Sequence, residues 1–311
     1  MALDPHAARL LQMLASVQKA DAGGSPDPQA RRDSLRQLAA LAGDRPGDGV
    51  VADDLRIPLA DPLSARRYRA EAAGEAPGLI VYLHGGGWVA GDLETHDGVC
   101  RALCRESGAI VLAVDYRRPP EHRFPAAVHD AAAVVVWARG EAGALGAPPD
   151  HVALAGDSAG ANLAAAATGL MLAKGEAPPD LLLLLCPILD VAPNQPSRAS
   201  FAAGYFLDQA QMSQDLADYL PDLGQMADPL VSPLRLADLS AFPPTHIHVA
   251  EYDPFRDEGL AFGERLQAGG VRALVRTHPG MIHYFYALPR AIPYARKALA
   301  EIGAAVGAAL G

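Results

Sequence analysis

His151 to Leu170 reads HVALAGDSAGANLAAAATGL: a short apolar run, a serine between glycines, then an alanine-rich segment. The first part has the length and composition of a buried strand, and Ser158 to Lys174 that of a helix. Between them lies the G-x-S-x-G pentapeptide Gly156-Asp157-Ser158-Ala159-Gly160. A strand that turns this sharply into a helix forces strained dihedrals on the serine, which only small neighbours such as Gly156 and Gly160 permit. Ser158 Oγ is thereby held clear of the backbone, and the Ala159 N–H, at the helix N-terminus, can donate to a developing oxyanion. On its own the pentapeptide is weak evidence, since a chain of this length contains one by chance on the order of one time in ten.

Outward from this point, apolar β-rich runs bounded by Gly or Pro recur at 50–59, 64–69, 79–83, 110–114, 152–155, 181–185, 246–250 and 271–277. From the third run onward, helical patterns alternate with them, at 95–107, 125–139, 158–174, 256–268 and after Pro289. Such alternation predicts a mostly parallel sheet of about eight strands covered by helices on both faces. Residues 1–45, which read as helical, and 191–225, rich in Pro, Gln, Asp and aromatic residues, fall outside the alternation. They are expected to form the two parts of a helical cap over a core made of 46–190 and 226–311. Beyond the carboxyl ends of the strands, such a cap supplies pocket walls; Leu10, Leu11, Leu14, Tyr205, Phe206 and Leu207 are candidates.

Half of the 311 residues are hydrophobic, enough for a substantial core, and the formal charge is −10. No Lys/Arg run is long enough to follow a phosphate backbone, so no nucleic-acid partner is expected. No apolar stretch approaches the roughly 18 residues needed to cross a bilayer. The N-terminus, with Asp4 ahead of its apolar residues, reads as an amphipathic helix rather than a signal peptide, and the expected location is cytoplasmic. Three cysteines, Cys100, Cys104 and Cys186, read as structural thiols rather than a disulfide framework or a metal site. The oligomeric state is not written in the sequence, and a homodimer is one assembly open to the chain.

A second glycine cluster gives the pentapeptide its meaning. The strand ending at Leu83 runs into His84-Gly85-Gly86-Gly87-Trp88. Consecutive glycines are entropically costly in a plain connection but let successive backbone N–H groups converge on the oxygen of a tetrahedral intermediate. A phosphate cradle is excluded, because neither a GK[ST] continuation nor GxGxxG spacing is present.

With these motifs, the sequence resembles the bacterial hormone-sensitive-lipase family of α/β-hydrolase esterases. The resemblance runs through HGGGW with GDLETHD behind it, DYRRPPEHRFPAAVHDA, GDSAG, EYDPFRDEG and GMIHYF, in the family's order. It implies an α/β-hydrolase fold, hydrolysis of short- to medium-chain carboxylic esters, and oxyanion donation by Gly86, Gly87 and Ala159, with Gly85 shaping the turn. Departures are Ala161 for a usual glycine, Arg118 and Pro119 within the DYRLAPE-like segment, and Tyr284 for the glycine that usually follows the histidine. None removes a reacting group.

A serine nucleophile requires a base and an orienting carboxylate, which this fold presents in the order Ser, Asp, His. Asp253 follows the strand THIHVA, with Glu251 and Asp257 nearby; His283 follows the last strand and the expected turn HPGM, with His278 nearby. The resemblance favours Asp253 and His283, and Asp257 is better explained as a first-turn helix acid. His246 and His248 share a strand face but have no matching third metal ligand, so they are expected to pack. No metal or organic cofactor is required by an acyl-enzyme mechanism in which His283 is base, Asp253 orients it and the glycine amides hold the oxyanion. The GDSGG-like serine of chymotrypsin-type proteases is excluded by chain order. A gibberellin-receptor-like binding module is disfavoured because His283 is present. Amide, lactone or carbamate substrates share the same triad chemistry.

Overall fold

The computed structural model describes residues 2–20, 27–44, 49–71, 76, 78–192 and 195–311. Parts of the expected cap, residues 21–26, 45 and 193–194, lie outside the described residues. Eight strands form one sheet in the order β1-β2-β4-β3-β5-β6-β7-β8. They are β1 (Val50–Ile57), β2 (Leu63–Ala70), β3 (Leu79–Leu83), β4 (Ile110–Asp115), β5 (Val152–Asp157), β6 (Leu181–Leu185), β7 (Thr245–Tyr252) and β8 (Ala273–Ile282). Only β2 pairs antiparallel, with β1 on one side and β4 on the other; β4, β3, β5, β6, β7 and β8 pair parallel. The central strands LIVYL, IVLAVD, VALAGD and LLLLL are buried almost throughout, as helices on both faces require.

The helices are α1 (Pro5–Ala20), α2 (Pro28–Ala42), α3 (Asp97–Ser107), α4 (Ala126–Leu145), α5 (Ala159–Ala173), α6 (Pro196–Ser200), α7 (Gln209–Tyr219), α8 (Arg256–Ala268) and α9 (Tyr294–Leu310). One face of the sheet packs on α4, α5 and α8 through a cluster that includes Val134, Leu163 and Phe262. The other packs on α3 and α9 through Leu103, Leu299 and Ile302. The two periodicities therefore segregate into layers, each burying its own apolar side.

One expectation needs correction. His278-Pro279-Gly280-Met281 is not a turn: β8 continues to Ile282, and its pairing with β7 resumes at Tyr252↔Ile282 after an irregularity past Ala250. Gly280, at φ 71°, absorbs the irregularity, and Glu251 Oε2 accepts from its N–H at 2.7 Å. A sequence reading of Pro-Gly as a turn misses a bulge that uses the same residues.

The segments outside the alternation meet each other. Asp27 caps α2 by accepting from Ala30 N at 2.8 Å, and Asp208 caps α7 by accepting from Gln211 N at 2.8 Å. Arg31 of α2 then pairs with both Asp215 and Asp218 of α7. Among the described residues no helix is long and apolar enough to cross a membrane.

Candidate active site

The carboxyl ends of β3, β5, β7 and β8 converge, as ligand sites in open parallel sheets do. Ser158 sits between the last residue of β5 and the first of α5, with φ 53° and ψ −118°. This is a left-handed conformation that a non-glycine residue adopts only under constraint. The constraint is steric: a Cβ on Gly160 would lie 2.0 Å from Leu83 O, and one on Gly156 2.5 Å from the Gly160 backbone. The elbow therefore depends on both glycines named from the sequence.

Asp253 follows β7 and His283 follows β8, so the register of two parallel neighbours brings them together. His283 Nδ1 lies 2.8 Å from Asp253 Oδ2, and His283 Nε2 lies 2.9 Å from Ser158 Oγ. Asp253 Oδ1 accepts from Phe255 N at 2.8 Å, which fixes the carboxylate in the loop. Asp253 is fully buried, His283 is 3% exposed and Ser158 6%. Dry surroundings strengthen each of these hydrogen bonds. With the Nδ1 proton held by Asp253, Nε2 is left as an acceptor for the serine proton.

The alternatives lie elsewhere. Asp257 stands in the first turn of α8, where it accepts from Ser197 N at 2.8 Å, and Glu251 is bound to Gly280. His278 contacts His248 and Tyr294, each at 3.1 Å, and not Ser158. Burial, together with Arg276, pushes His278 down to about 4. His246 and His248 belong to no three-ligand group among the described residues. Cys186, Asp253 and His283 do offer ligand atoms within 4.8 Å of one another. An ion there would displace the Nδ1 proton that bonds Asp253, so ion and hydrogen bond are mutually exclusive. All three cysteines are buried free thiols.

Gly86 and Gly87 have φ 115° and 60°. A Cβ on Gly86 would meet the Ala90 backbone at 2.5 Å, and one on Gly87 would meet Asp215 Oδ2 at 2.1 Å. Their amides donate to no described residue, and Gly87 borders the same cleft as Ser158. The loop is held by a residue that the sequence reading passed over. Asp157, fully buried, takes hydrogen bonds from Gly85 N at 2.9 Å, Tyr82 OH at 2.7 Å and Tyr286 OH at 3.0 Å, beside His96 Nε2 at 3.3 Å. Burial favours the neutral acid, but His96 and these donors outweigh it and hold the carboxyl below its ordinary range. Its position as the x before the serine was the available signal. Burial likewise pushes His84 down to about 3, so this imidazole, stacked 4.3 Å from Tyr116, is neutral.

A cleft reaches Ser158 between the core loops and the 191–225 segment. Its walls include Trp88, Ile188, Val191, Leu207, Leu216 and Phe255, with Asp215 and Arg198 as charged exceptions. Of the six cap residues expected there, Leu207 lines it, and Phe206 stacks 5.8 Å from Tyr284 beside it. Leu10, Leu11 and Leu14, and Tyr205, instead belong to or pack against the hydrophobic cluster on the α3 and α9 side of the sheet, a correction explained for the leucines by the apolar stripe of α1 turning to the body rather than the cleft.

The family model for the alpha/beta hydrolase fold matches residues 80–287. A carboxylic ester hydrolase of Mycobacterium tuberculosis, LipN, is 40% identical over 81% of this chain and 69% of its own. An arylesterase of Saccharolobus solfataricus is 34% identical over 98% of both chains. Among solved structures, the ester-hydrolase EH1AB1 from the metagenome of Lake Arreo, in complex with a bipyridine phosphonate derivative, superposes with a TM-score of 0.92 at 34% identity over 98% of each chain.

Proposed function

Because this chain belongs to the α/β-hydrolase family, in its hormone-sensitive-lipase-like branch, and is a carboxylic ester hydrolase, we propose that Ser158, His283 and Asp253 are its catalytic triad and that it cleaves short- to medium-chain esters. The observation that carries the assignment is the unbroken path from Ser158 Oγ through the His283 ring to Asp253, at 2.9 and 2.8 Å. His283 Nε2 takes the serine proton as Oγ attacks the ester carbonyl. Asp253 holds the productive tautomer and stabilises the imidazolium. The amides of Gly86, Gly87 and Ala159 receive the negative oxygen, and the proton then passes to the leaving alcohol. Water repeats the sequence on the acyl-enzyme. The confined, largely apolar cleft beside Ser158 favours small acyl groups, and a panel of p-nitrophenyl esters of increasing chain length tests this reading. Helices α1 and α2 with residues 191–225 act as the cap in this account.

Two expected results follow. Since His283 is base only when neutral, log kcat/KM should rise with pH at unit slope and then level off. His278→Ala, which removes an imidazole bonded only to His248 and Tyr294 among the described residues, should retain the profile. A profile displaced or flattened in that variant would transfer the role. Gly86→Ala places a methyl group against the Ala90 backbone and must move the loop. Its kcat should fall by about 10² to 10³, the size of one lost oxyanion donor, with KM little changed. A loss confined to KM would count against the donor role.

A further inference from the structure

The triad leaves unused an acid that stands in the cleft. Asp215, on α7, borders the cleft together with Ser158 and Gly87. Its Oδ1 is occupied, accepting from Gln211 Nε2 at 2.8 Å and from Arg31 Nη1. Its Oδ2 accepts from no described residue and leans over the oxyanion loop, so close that a Cβ on Gly87 would lie 2.1 Å away. The neighbouring walls are apolar: Trp88, Ile188, Val191, Leu207 and Leu216.

The Asp215 side chain is 16% exposed, and a ligand that covers Oδ2 without donating to it leaves a desolvated carboxylate oxygen unmet, which is costly. The local charge balance adds to this. Arg31 is shared between Asp215 and Asp218, one cation for two carboxyls, so the group carries an excess negative charge when both are ionised. Burial pushes Asp215 up to about 7, with Asp218 adding to the rise, although Arg31 and Gln211 oppose it. Arg198, the other charge at the cleft, is already matched by Glu258 at 2.6 Å and by Asp190 O at 2.7 Å.

We propose that Asp215 Oδ2 is a specificity-determining acceptor, which selects esters whose chain carries a hydrogen-bond donor, a hydroxyl or a primary ammonium, into the cap side of the cleft. The proposal rests on the esterase reading, since that reading places an ester beside Ser158. The hydrogen bond replaces the water lost on entry, and an ammonium also offsets the excess charge.

The test measures binding by calorimetry to Ser158→Ala, which holds esters without turning them over. Two matched series are used, one varying the end of the acyl chain and one the end of the alcohol, each with methyl, hydroxyl and ammonium termini. In one series or the other, at a pH well above 7 so that Asp215 is ionised, the hydroxyl or ammonium ester should bind about tenfold or more tightly than its methyl counterpart, the size of a hydrogen bond to a charged group. For the ammonium ester the margin should vanish in Ser158→Ala/Asp215→Asn, because the donors at Oδ1 hold the asparagine oxygen there and turn its NH₂, which cannot accept, to the former Oδ2 position; a hydroxyl can accept from that NH₂, so the ammonium ester is the one that decides. Methyl esters binding as well as the others in both series, or an ammonium margin that survives Asp215→Asn, would overturn the proposal. Wild-type turnover measured in parallel separates the two readings. A donor preference in binding without any wild-type hydrolysis would strike the esterase reading and leave the role of Asp215 standing.

Discussion

Ser158→Ala should lower kcat for a p-nitrophenyl ester by about 10⁶, the scale on which a serine hydrolase loses its nucleophile, while the protein stays folded. The side chain of Ser158 makes one described hydrogen bond, to His283 Nε2, so its loss removes little from the fold. The strained backbone at φ 53° is imposed by the close packing of Gly156 and Gly160, which alanine at position 158 leaves in place. Residual rate should come from the oxyanion amides and from binding alone. The measurement is initial rate beside the thermal midpoint. A variant that keeps a tenth of the activity with an unchanged midpoint would place the nucleophile elsewhere.

Asp253→Asn should cost about 10⁴ in kcat, because an amide at that position can present its NH₂ to Nδ1 and select the tautomer that cannot accept the serine proton. Asp257→Asn probes a different job. Asp257 Oδ2 accepts from Ser197 N at 2.8 Å and its other oxygen pairs with Arg256, which ties α6 to the start of α8. Losing that charge should cost roughly 0.3–1 kcal/mol of stability, with kcat nearly intact. Comparing kcat and midpoint for the two variants separates orientation of the histidine from attachment of the 191–225 segment. An exchange of the two phenotypes would reassign the acid.

The features legible in the sequence are those written in short spans. The central strands β3 to β6 are nearly continuous apolar runs, because both faces of the parallel part of the sheet are buried, and G-x-S-x-G and HGGG are contiguous because one turn uses all their residues. Ser158 could be named from its place between a recognisable strand and helix, whereas the choice of Asp253 and His283 over Glu251, Asp257 and His278 rests on the family resemblance. Contacts made by distant residues could not be read this way. Arg31 and Asp215 are separated by 184 positions and meet only when α2 and α7 dock, so neither pattern nor composition marks Asp215 as a cleft residue. The hydrogen bonds that Asp157 receives from Tyr82 and Tyr286 depend likewise on three chain segments arriving together. The end of β8 was misread for another reason: Pro279-Gly280 has turn chemistry, and the pairing with β7 that overrides it is tertiary.

The account stands on Ser158 Oγ as the atom that becomes acylated. Wild-type protein treated with a fluorophosphonate, digested and mapped by mass spectrometry, tests this directly. One adduct is expected, on Ser158 in the peptide containing GDSAG, with hydrolysis lost in proportion to labelling and no adduct in His283→Ala under the same brief exposure. Labelling of a different residue, or full activity in protein that carries the adduct on Ser158, would contradict it.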